Sequence, residues 1–250
     1  MNRRLVRLLG GQSRVAAIAV AGNTGTDAFF GKDELCESLI RFQLGLAELV
    51  LPRFGSMRIT GGKAARRILK VPKGLEVRPT PDLVKQAVFN SLGERVVGAR
   101  VLELFAGTGA LSLECLSRGA ASAVCVEKSS RHAEVLRRNF EAAGFGPDLL
   151  QLRVQDVFSA LGQLASNAAQ FELILADPPY GEKNVGRRST SFAQQLLDHP
   201  KLPSLLGPSG LFVLGHTKRD TLSLPALWAE VKMLKHGDSV MRFLQLADIR

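Results

Sequence analysis

The sequence predicts an α/β domain in which helices cover both faces of a mostly parallel sheet. Short apolar runs alternate with helical segments from residue 101 onward, which is typical of a parallel sheet. Two more apolar runs flank a short turn near the C-terminus, as in an antiparallel hairpin. The 250 residues, with 46% hydrophobic content and 24 glycines, suit one large domain and exclude an extended disordered protein.

The apolar runs of the alternating region are predicted as strands buried on both faces because they are short and continuous. With the hairpin they make a seven-stranded sheet, and ligands are expected at the carboxyl ends of its parallel strands. The predicted strands are residues 101–105, 123–126, 149–154, 171–176, 211–214, 228–234 and 239–246. The helices predicted between them are residues 111–118, 131–143, 158–164 and 190–197.

A further helix is predicted upstream of the first strand. Thr80 can cap it, with Pro81 at the first helical position and Asp82 favourably placed on the helix dipole. Apolar residues then recur at helical spacing over residues 84–92. Residues 33–50 form another candidate helix, in which nothing indicates chemistry.

The net charge of +10 is unevenly distributed, since residues 57–99 carry nine Lys and Arg against three Asp and Glu. We therefore expect a basic arm and helix over residues 57–99, a catalytic domain over residues 100–250, and an extension over residues 1–56 that is poorly ordered or follows a misassigned start. A dense basic run attracts phosphates, although a merely solvated basic face is the alternative. The cations of the arm are Arg58, Lys63, Arg66, Arg67, Lys70 and Lys73.

The cysteines and histidines indicate neither a disulfide framework nor a metal site. Cys36, Cys115 and Cys125 are odd in number and form no CxxC pair, so a reducing compartment is expected. The four histidines lack metal-ligand spacing. No run approaches the about 20 apolar residues that a membrane span needs.

The first 21 residues hold four arginines and no acid, a composition that faintly resembles a targeting segment. Gly10 and Gly11 interrupt the apolar part, so a secretory signal fits poorly. We expect a cytoplasmic protein, with an organellar location as the alternative if residues 1–56 act as a transit peptide.

A glycine-rich turn follows the first predicted strand. Gly107 and Gly109 let the backbone turn sharply and approach a ligand, which a Cβ would block. Glu127, at the end of the second strand, is well placed to accept from two ribose hydroxyls. Dinucleotide-binding folds share this pattern, so a nicotinamide-dependent dehydrogenase is one alternative.

Two further acids favour a different ligand. Glu103 offers a carboxylate at the end of the first strand, whereas a pyrophosphate would need bare N–H groups there. A cationic sulfonium ligand with an ammonium group fits better. Asp156, after the third strand, is then placed to bind an adenine amino group, and a helix N-cap is its simpler role.

The most informative motif is Asp177-Pro178-Pro179-Tyr180, which directly follows the fourth strand. The prolines donate no N–H, so the loop is rigid and rich in acceptors. The Asp177 carboxylate and the Pro178 carbonyl can accept both hydrogens of an exocyclic amine, while Tyr180 stacks on the ring. A plain turn that ends the strand is the alternative.

In this order the motifs resemble a class I S-adenosylmethionine-dependent methyltransferase that acts on an amino nitrogen. A closer resemblance, to the bacterial small-subunit ribosomal RNA guanine-N2 methyltransferases, covers residues 57 to about 246. The segments that carry it are residues 57–63, 78–82, 89–90, 104–109, 113–114, 117–120 and 126–128, with Asn139. The resemblance implies a Rossmann-like class I methyltransferase fold.

The resemblance also implies a role for each motif. Glu103 and the glycine turn would hold the methionine end of S-adenosylmethionine, Glu127 its ribose and Asp156 its adenine. The target guanine would lie against residues 177–180. The implied cofactor residues are Arg78, Thr80, Glu103, Phe105, Ala106, Gly107, Thr108, Gly109, Glu127, Lys128, Asp156 and Val157. The implied partner is ribosomal RNA or the small ribosomal subunit, bound by a monomer that needs no metal and no membrane.

The sequence departs from the family at three positions. Glu103 stands where Asp is more usual, Gly215 where an acid before the histidine is common, and His236 where Tyr is frequent. We hypothesise direct methyl transfer to guanine N2. The alternatives in other classes are an adenine-N6 methyltransferase of DNA or RNA and a non-catalytic RNA-binding assembly factor.

Overall fold

The alternating apolar runs become the strands of one sheet. The structure, a computed structural model, describes residues 57–71, 81–181, 184 and 187–248. In this part of the chain the sheet has seven strands, in the order β3-β2-β1-β4-β5-β7-β6. The strands are β1 (Arg100–Leu104), β2 (Ser122–Glu127), β3 (Leu150–Val154), β4 (Phe171–Ala176), β5 (Leu206–Thr217), β6 (Trp228–His236) and β7 (Ser239–Leu246).

Strands β1 to β5 pair in parallel, and β7 and β6 extend the sheet in antiparallel fashion. This arrangement confirms the predicted seven-stranded sheet with its C-terminal hairpin. The hairpin joins through its second strand, since β7 lies between β5 and β6. Strand β5 begins at Leu206, before the predicted start at residue 211.

The predicted helices are confirmed to within a few residues of their ends. Those of the described part are α1 (Asp82–Leu92), α2 (Ala110–Ser117), α3 (Ser130–Ala142), α4 (Val157–Ser166) and α5 (Phe192–Asp198). The position of Pro81 was predicted wrongly. Its ψ of 149° is extended, so it is the N-cap residue of α1 and not the first helical residue.

Alternate residues of the central strands pack into two cores, one on each face of the sheet. Val101, Leu173 and Val213 face the core that also contains residues of α1, α2 and α3. Leu102 and Ile174 face the other core, which contains residues of α4 and α5. Helices therefore cover both faces, as predicted.

Strand β3 differs from the prediction that every strand of the alternating region is buried on both faces. Its residues are half-buried or exposed because β3 forms one edge of the sheet and has a neighbour on one side only. The predictions for residues 1–56, including the helix over residues 33–50, lie outside the described residues. Among the helices that are described, none has the length and apolar character to cross a bilayer.

Candidate functional site

The carboxyl ends of the parallel strands meet at one edge of the sheet. Strand β1 pairs with β2 on one side and with β4 on the other, so the strand order reverses between β1 and β4. Such a reversal opens a crevice in which α/β folds bind ligands. Glu103 lies in β1 and Glu127 ends β2, while Asp156 and Asp177 come just after β3 and β4. The structure thus brings the four predicted acids to the same edge.

Glu103 is almost fully buried, with 3% of its surface exposed. Its carboxylate accepts hydrogen bonds from the backbone N–H groups of Leu111 at 3.3 Å and Ser112 at 2.9 Å. These amides belong to the first turn of α2, whose dipole favours a negative charge. Burial nevertheless raises the pKa of Glu103 from 4.5 to about 7, because desolvation outweighs the hydrogen bonds. A cation beside the carboxylate would favour its ionised form.

The glycine turn after β1 has an unusual backbone. Phe105, Gly107 and Gly109 all have positive φ, of 57°, 55° and 76°. A Cβ on Gly109 would lie 2.7 Å from Cγ of Leu136, so glycine lets α3 pack closely against the turn. The left-handed backbone conformation of Phe105 stores local strain, and strained residues of this kind cluster at ligand sites.

Glu127 connects the end of β2 to the glycine turn. One of its oxygens accepts from the N–H of Gly107 and the other from the N–H of Ser129, both at 2.7 Å. The side chain of His132 lies 3.5 Å from the second oxygen. Each carboxylate oxygen can accept more than one hydrogen bond, so Glu127 is held in place and can still accept from hydroxyl groups.

Asp156 is the N-cap of α4, which confirms the simpler of the two roles considered for it. Its Oδ1 accepts from the backbone N–H groups of Phe158 at 3.0 Å and Ser159 at 3.4 Å. Its Oδ2 lies 3.5 Å from Nζ of Lys128. Val157 is buried as the first residue of α4. A cap of this kind is compatible with ligand binding by the second oxygen, which stays a prediction.

Gly215, in the neighbouring strand β5, leaves the space that the Asp177 carboxylate fills. A Cβ at residue 215 would lie 2.4 Å from Oδ1 of Asp177 and 3.2 Å from Sδ of Met241. Real Cβ atoms essentially never approach so closely, so any larger residue would displace the carboxylate. The departure from the family at this position therefore bears directly on the predicted target site.

The other end of the same loop contacts the C-terminal hairpin. Tyr180 is about half exposed, and its hydroxyl lies 2.9 Å from Oγ of Ser239, the first residue of β7. The exposed ring is accessible to a flat partner, and the hydrogen bond fixes its direction. Pro178 is buried and Pro179 is exposed.

His216 supports the strands behind this loop. Its Nδ1 lies 2.9 Å from the carbonyl oxygen of Thr217, and its Nε2 accepts from Nε of Arg242 at 3.1 Å. Burial lowers the pKa of His216, and the Arg242 guanidinium lowers it further. The ring is therefore a neutral group that braces β5 against β7.

The described segment of the basic arm, residues 57–71, is anchored on α2. The N–H and hydroxyl of Thr60 both donate to the buried carboxylate of Glu114 at 2.7 Å. The hydroxyl of Ser117 accepts from the N–H of Ala64 at 2.9 Å. The arm is thus held in one position beside the glycine turn.

Asn139 joins the arm to the glycine turn. Its Oδ1 accepts from the N–H of Lys70 at 2.7 Å, and its Nδ2 donates to the carbonyl oxygens of Lys70 at 3.0 Å and Thr108 at 3.1 Å. Only 1% of the Asn139 surface is exposed. One buried amide on α3 therefore couples the predicted RNA-binding segment to the predicted cofactor turn.

Four of the predicted RNA-binding cations of the arm are exposed, namely Lys63, Arg66, Arg67 and Lys70. Arg58 is partly buried and forms an ion pair with Asp82 at 2.7 Å, so it also tethers the arm to α1. The remaining predictions, Lys73 for RNA and Arg78 and Thr80 for the cofactor, lie outside the described residues. In the part of the chain that is described, no His, Cys, Asp and Glu side chains cluster as a metal site would require.

Sequence reasoning assigned no function to Asn139 or Gly215. The sequence nevertheless contains a local signal for each of these residues. Asn139 is a polar residue on the buried stripe of α3, which also contains Leu136 and Phe140. Gly215 is a glycine inside a buried strand, where a close approach by another group is the usual reason.

Comparison with known proteins identifies relatives over the described part of the chain. A family model described as "Conserved hypothetical protein 95" matches residues 57–245. The chain is 36% identical to ribosomal RNA small subunit methyltransferase D of Escherichia coli, over 50% of this chain and 61% of that protein. It is 28% identical to the protein of the same name from Haemophilus influenzae, over 76% of this chain and 94% of that protein.

Solved structures share the fold. The Escherichia coli structure described as "Putative methyltransferase yhhF" superposes with a TM-score of 0.63 and 28% identity, covering 77% of this chain and 98% of that one. The sheet order and the antiparallel end of the sheet confirm the class I methyltransferase fold. Since the family model matches well over half of the sequence, the chain belongs to the family described as "Conserved hypothetical protein 95", in agreement with its resemblance to the small-subunit ribosomal RNA methyltransferases.

Proposed function

We propose that the protein transfers the methyl group of S-adenosylmethionine to the exocyclic N2 of a guanine in small-subunit ribosomal RNA. The observation that carries this proposal is the position of Asp177 and Tyr180, which follow β4 directly at the crevice where the strand order reverses. The names of the relatives from Escherichia coli and Haemophilus influenzae support the choice of ribosomal RNA.

The residues at the crevice fit the cofactor. Glu103 is a buried acid beside which a cation is favourable, so it suits the ammonium group of the methionine end. The turn is open to a ligand at Gly107, since the carbonyl oxygen of Phe105, at 3.9 Å, is the single atom outside its chain neighbours within 4 Å of an added Cβ. Glu127 can accept from the ribose hydroxyls and Asp156 from the adenine amino group. When bound, S-adenosylmethionine supplies an electrophilic methyl group on its sulfonium sulfur.

The loop of residues 177–180, which we call the target loop, prepares the amine for attack. The Asp177 carboxylate and the Pro178 carbonyl accept the two N2 hydrogens, which directs the nitrogen lone pair and reduces its conjugation with the ring. Asp177 need not be a strong base, because the proton becomes acidic once the nitrogen carries the methyl group. The guanine must leave its stack to reach the loop, and Tyr180 replaces part of the lost stacking.

The arm holds the RNA in this proposal. Lys63, Arg66, Arg67 and Lys70 bind phosphates close to the crevice, and Asn139 links the backbone of Lys70 to the glycine turn. The protein acts as a monomer, and residues 1–56 are dispensable for the chemistry. A chain that begins at Met57 and keeps full methyl transfer would support the last point, and light scattering during gel filtration would test the first.

The proposal is tested by methyl transfer from labelled S-adenosylmethionine to bare small-subunit ribosomal RNA and to small-subunit particles. Nuclease digestion and mass spectrometry then locate the label. We expect N2-methylguanine with the wild type and loss of at least 100-fold in rate with Asp177→Ala. Label on adenine would instead indicate an adenine-N6 methyltransferase. RNA binding without any transfer would indicate an assembly factor, and an Asp177→Ala variant with the wild-type rate would refute the role of the loop.

A further inference from the structure

A second basic surface lies next to the target loop, in the turns beside β5 and β7. Strand β5 ends at Thr217, which pairs with Ser239 at the start of β7. The turn that follows β5 therefore lies at the same edge of the sheet as the loop after β4. The hydrogen bond between Tyr180 and Ser239, at 2.9 Å, joins the two directly. We call this surface, formed by Lys218, Arg219 and Asp238, the ledge.

In the ledge, two exposed cations form ion pairs with the same carboxylate. Nζ of Lys218 lies 2.8 Å from Oδ1 of Asp238, and Nη2 of Arg219 lies 3.8 Å from Oδ2. The side chains of Lys218 and Arg219 are 57% and 64% exposed. Exposed ion pairs of this kind contribute little to stability, and both cations can turn toward another anion. The trio keeps a net positive charge.

One further cation lies beside the ledge. Lys235, near the end of β6, is exposed and lies next to the hairpin turn that contains Asp238. The backbone N–H of Lys218 donates to the carbonyl oxygen of Asp238 at 2.8 Å, which ties this turn to the turn after β5. The cations are therefore presented on a braced surface and not on a loose loop.

We propose that the ledge binds the phosphate backbone of the RNA strand that carries the target guanine. This inference rests on the proposed function. The arm contacts α2 and α3, which follow β1 and β2, and is also paired with α1, whereas the ledge lies in the turns next to β5 and β7. In the order of the sheet, the target loop after β4 lies between them. A base that is withdrawn from its stack needs its flanking phosphates held on both sides, and two basic surfaces on either side of the loop supply this.

Binding of bare small-subunit ribosomal RNA, measured at several salt concentrations with S-adenosylhomocysteine present, tests the ledge. Each phosphate contact contributes about 0.7 to 0.9 to the slope of log affinity against log salt. The double variant Lys218→Gln, Arg219→Gln is expected to lower this slope by about 1 to 2 and to weaken RNA binding about 5- to 10-fold at 0.1 M salt. Its affinity for S-adenosylhomocysteine is expected to stay at the wild-type value.

The variant Asp238→Asn separates RNA binding from a structural role. If the cations serve only to stabilise the turn, removing the acid weakens the fold and leaves RNA affinity unchanged or lower. If they bind phosphate, the removal strengthens RNA binding by about 2- to 5-fold and steepens the salt slope. An increase in RNA affinity therefore distinguishes phosphate binding from a purely structural role.

A matched pair of controls lies at the opposite edge of the sheet. Arg100 and Glu172 form an exposed ion pair at 2.7 Å, near the starts of β1 and β4. Glu172→Gln changes the charge by the same amount as Asp238→Asn, and Arg100→Gln removes one of the two positive charges that the double variant removes. Both control variants should leave RNA binding unaltered. The proposal that the ledge binds RNA is overturned if the double variant has the wild-type salt slope, or if Asp238→Asn leaves the affinity for RNA unchanged. Failure of the proposed function is distinct, since it appears as absent methyl transfer by the wild type in the labelled assay.

Discussion

Replacing Glu103 by glutamine tests whether this buried carboxylate is the group that receives the ammonium of the cofactor. Glutamine keeps the size of the side chain and one acceptor oxygen for the first turn of α2, but it cannot carry charge. Glu103→Gln therefore resembles the protonated form of the wild type at every pH. Any difference between the two proteins that changes with pH reports the ionisation of Glu103.

The environment of Glu103 gives the size and the sign of the effect on stability. Burial raises its pKa from 4.5 to about 7. At about 1.4 kcal/mol per pKa unit, the ionised form is disfavoured in the folded protein by about 3 kcal/mol. Because the folded-state pKa lies above the unfolded-state value, the folded protein binds more protons between these pH values. The contribution of this group to stability is therefore full below pH 4.5 and is lost as the pH rises through about 7.

We expect Glu103→Gln to be about 3 kcal/mol more stable than the wild type at pH 8, and within about 1 kcal/mol of it at pH 5. Binding of the cofactor should follow the opposite trend, because an ammonium group favours the ionised carboxylate. The affinity of the wild type for S-adenosylhomocysteine should rise with pH up to about 7 and then level off. The variant should bind about 10- to 100-fold more weakly at pH 8, the amount that a charge-assisted hydrogen bond contributes.

Urea denaturation at pH 5 and pH 8 measures the stability difference, and isothermal titration with S-adenosylhomocysteine measures the affinity. Glu172 is an exposed acid at the other end of the sheet, so Glu172→Gln is the control. It should change neither the affinity for S-adenosylhomocysteine nor the dependence of that affinity on pH. A stability difference between the wild type and Glu103→Gln that is the same at both pH values would refute the ionisation argument. Equal affinities at pH 8 would refute the role of Glu103 as the ammonium ligand.

Two further substitutions test positions that were identified from packing. Gly215→Ala places a Cβ 2.4 Å from the Asp177 carboxylate, so single-turnover methyl transfer should slow by about 10- to 100-fold while cofactor affinity is unchanged. Gly207→Ala, on the same strand, is the matched control, because the added Cβ would lie 3.5 Å from the carbonyl oxygen of Phe171, an ordinary contact distance. Equal rates of methyl transfer for the two variants would contradict the argument. Asn139→Ala removes the three hydrogen bonds that join the arm to the glycine turn and should lower the free energy of unfolding by about 2 kcal/mol in urea. It should also raise the KM for RNA more than it lowers kcat, and an unchanged KM would argue against coupling between the two segments.

Local patterns were sufficient for much of the fold. Apolar runs of strand length that alternate with helical segments predict the parallel sheet, because burial on both faces excludes polar residues from such strands. The edge position of β3 escaped prediction, since the order of strands in a sheet depends on pairing between distant segments. Pro81 was misplaced by one position because proline fits both the N-cap and the first turn of a helix.

The chemistry at the ends of the strands was also predicted from the sequence alone. The glycine turn at Gly107 with Glu103 predicts a sulfonium methyl donor, and Asp177 after a buried strand predicts an amine that accepts the methyl group. Only the tertiary structure decided how these groups are supported. The contact of Gly215 with Asp177, the bridge made by Asn139 and the hydrogen bond between Tyr180 and Ser239 each join residues that lie far apart in the chain. Such contacts depend on the register of neighbouring strands and the packing of helices, which local sequence patterns do not contain.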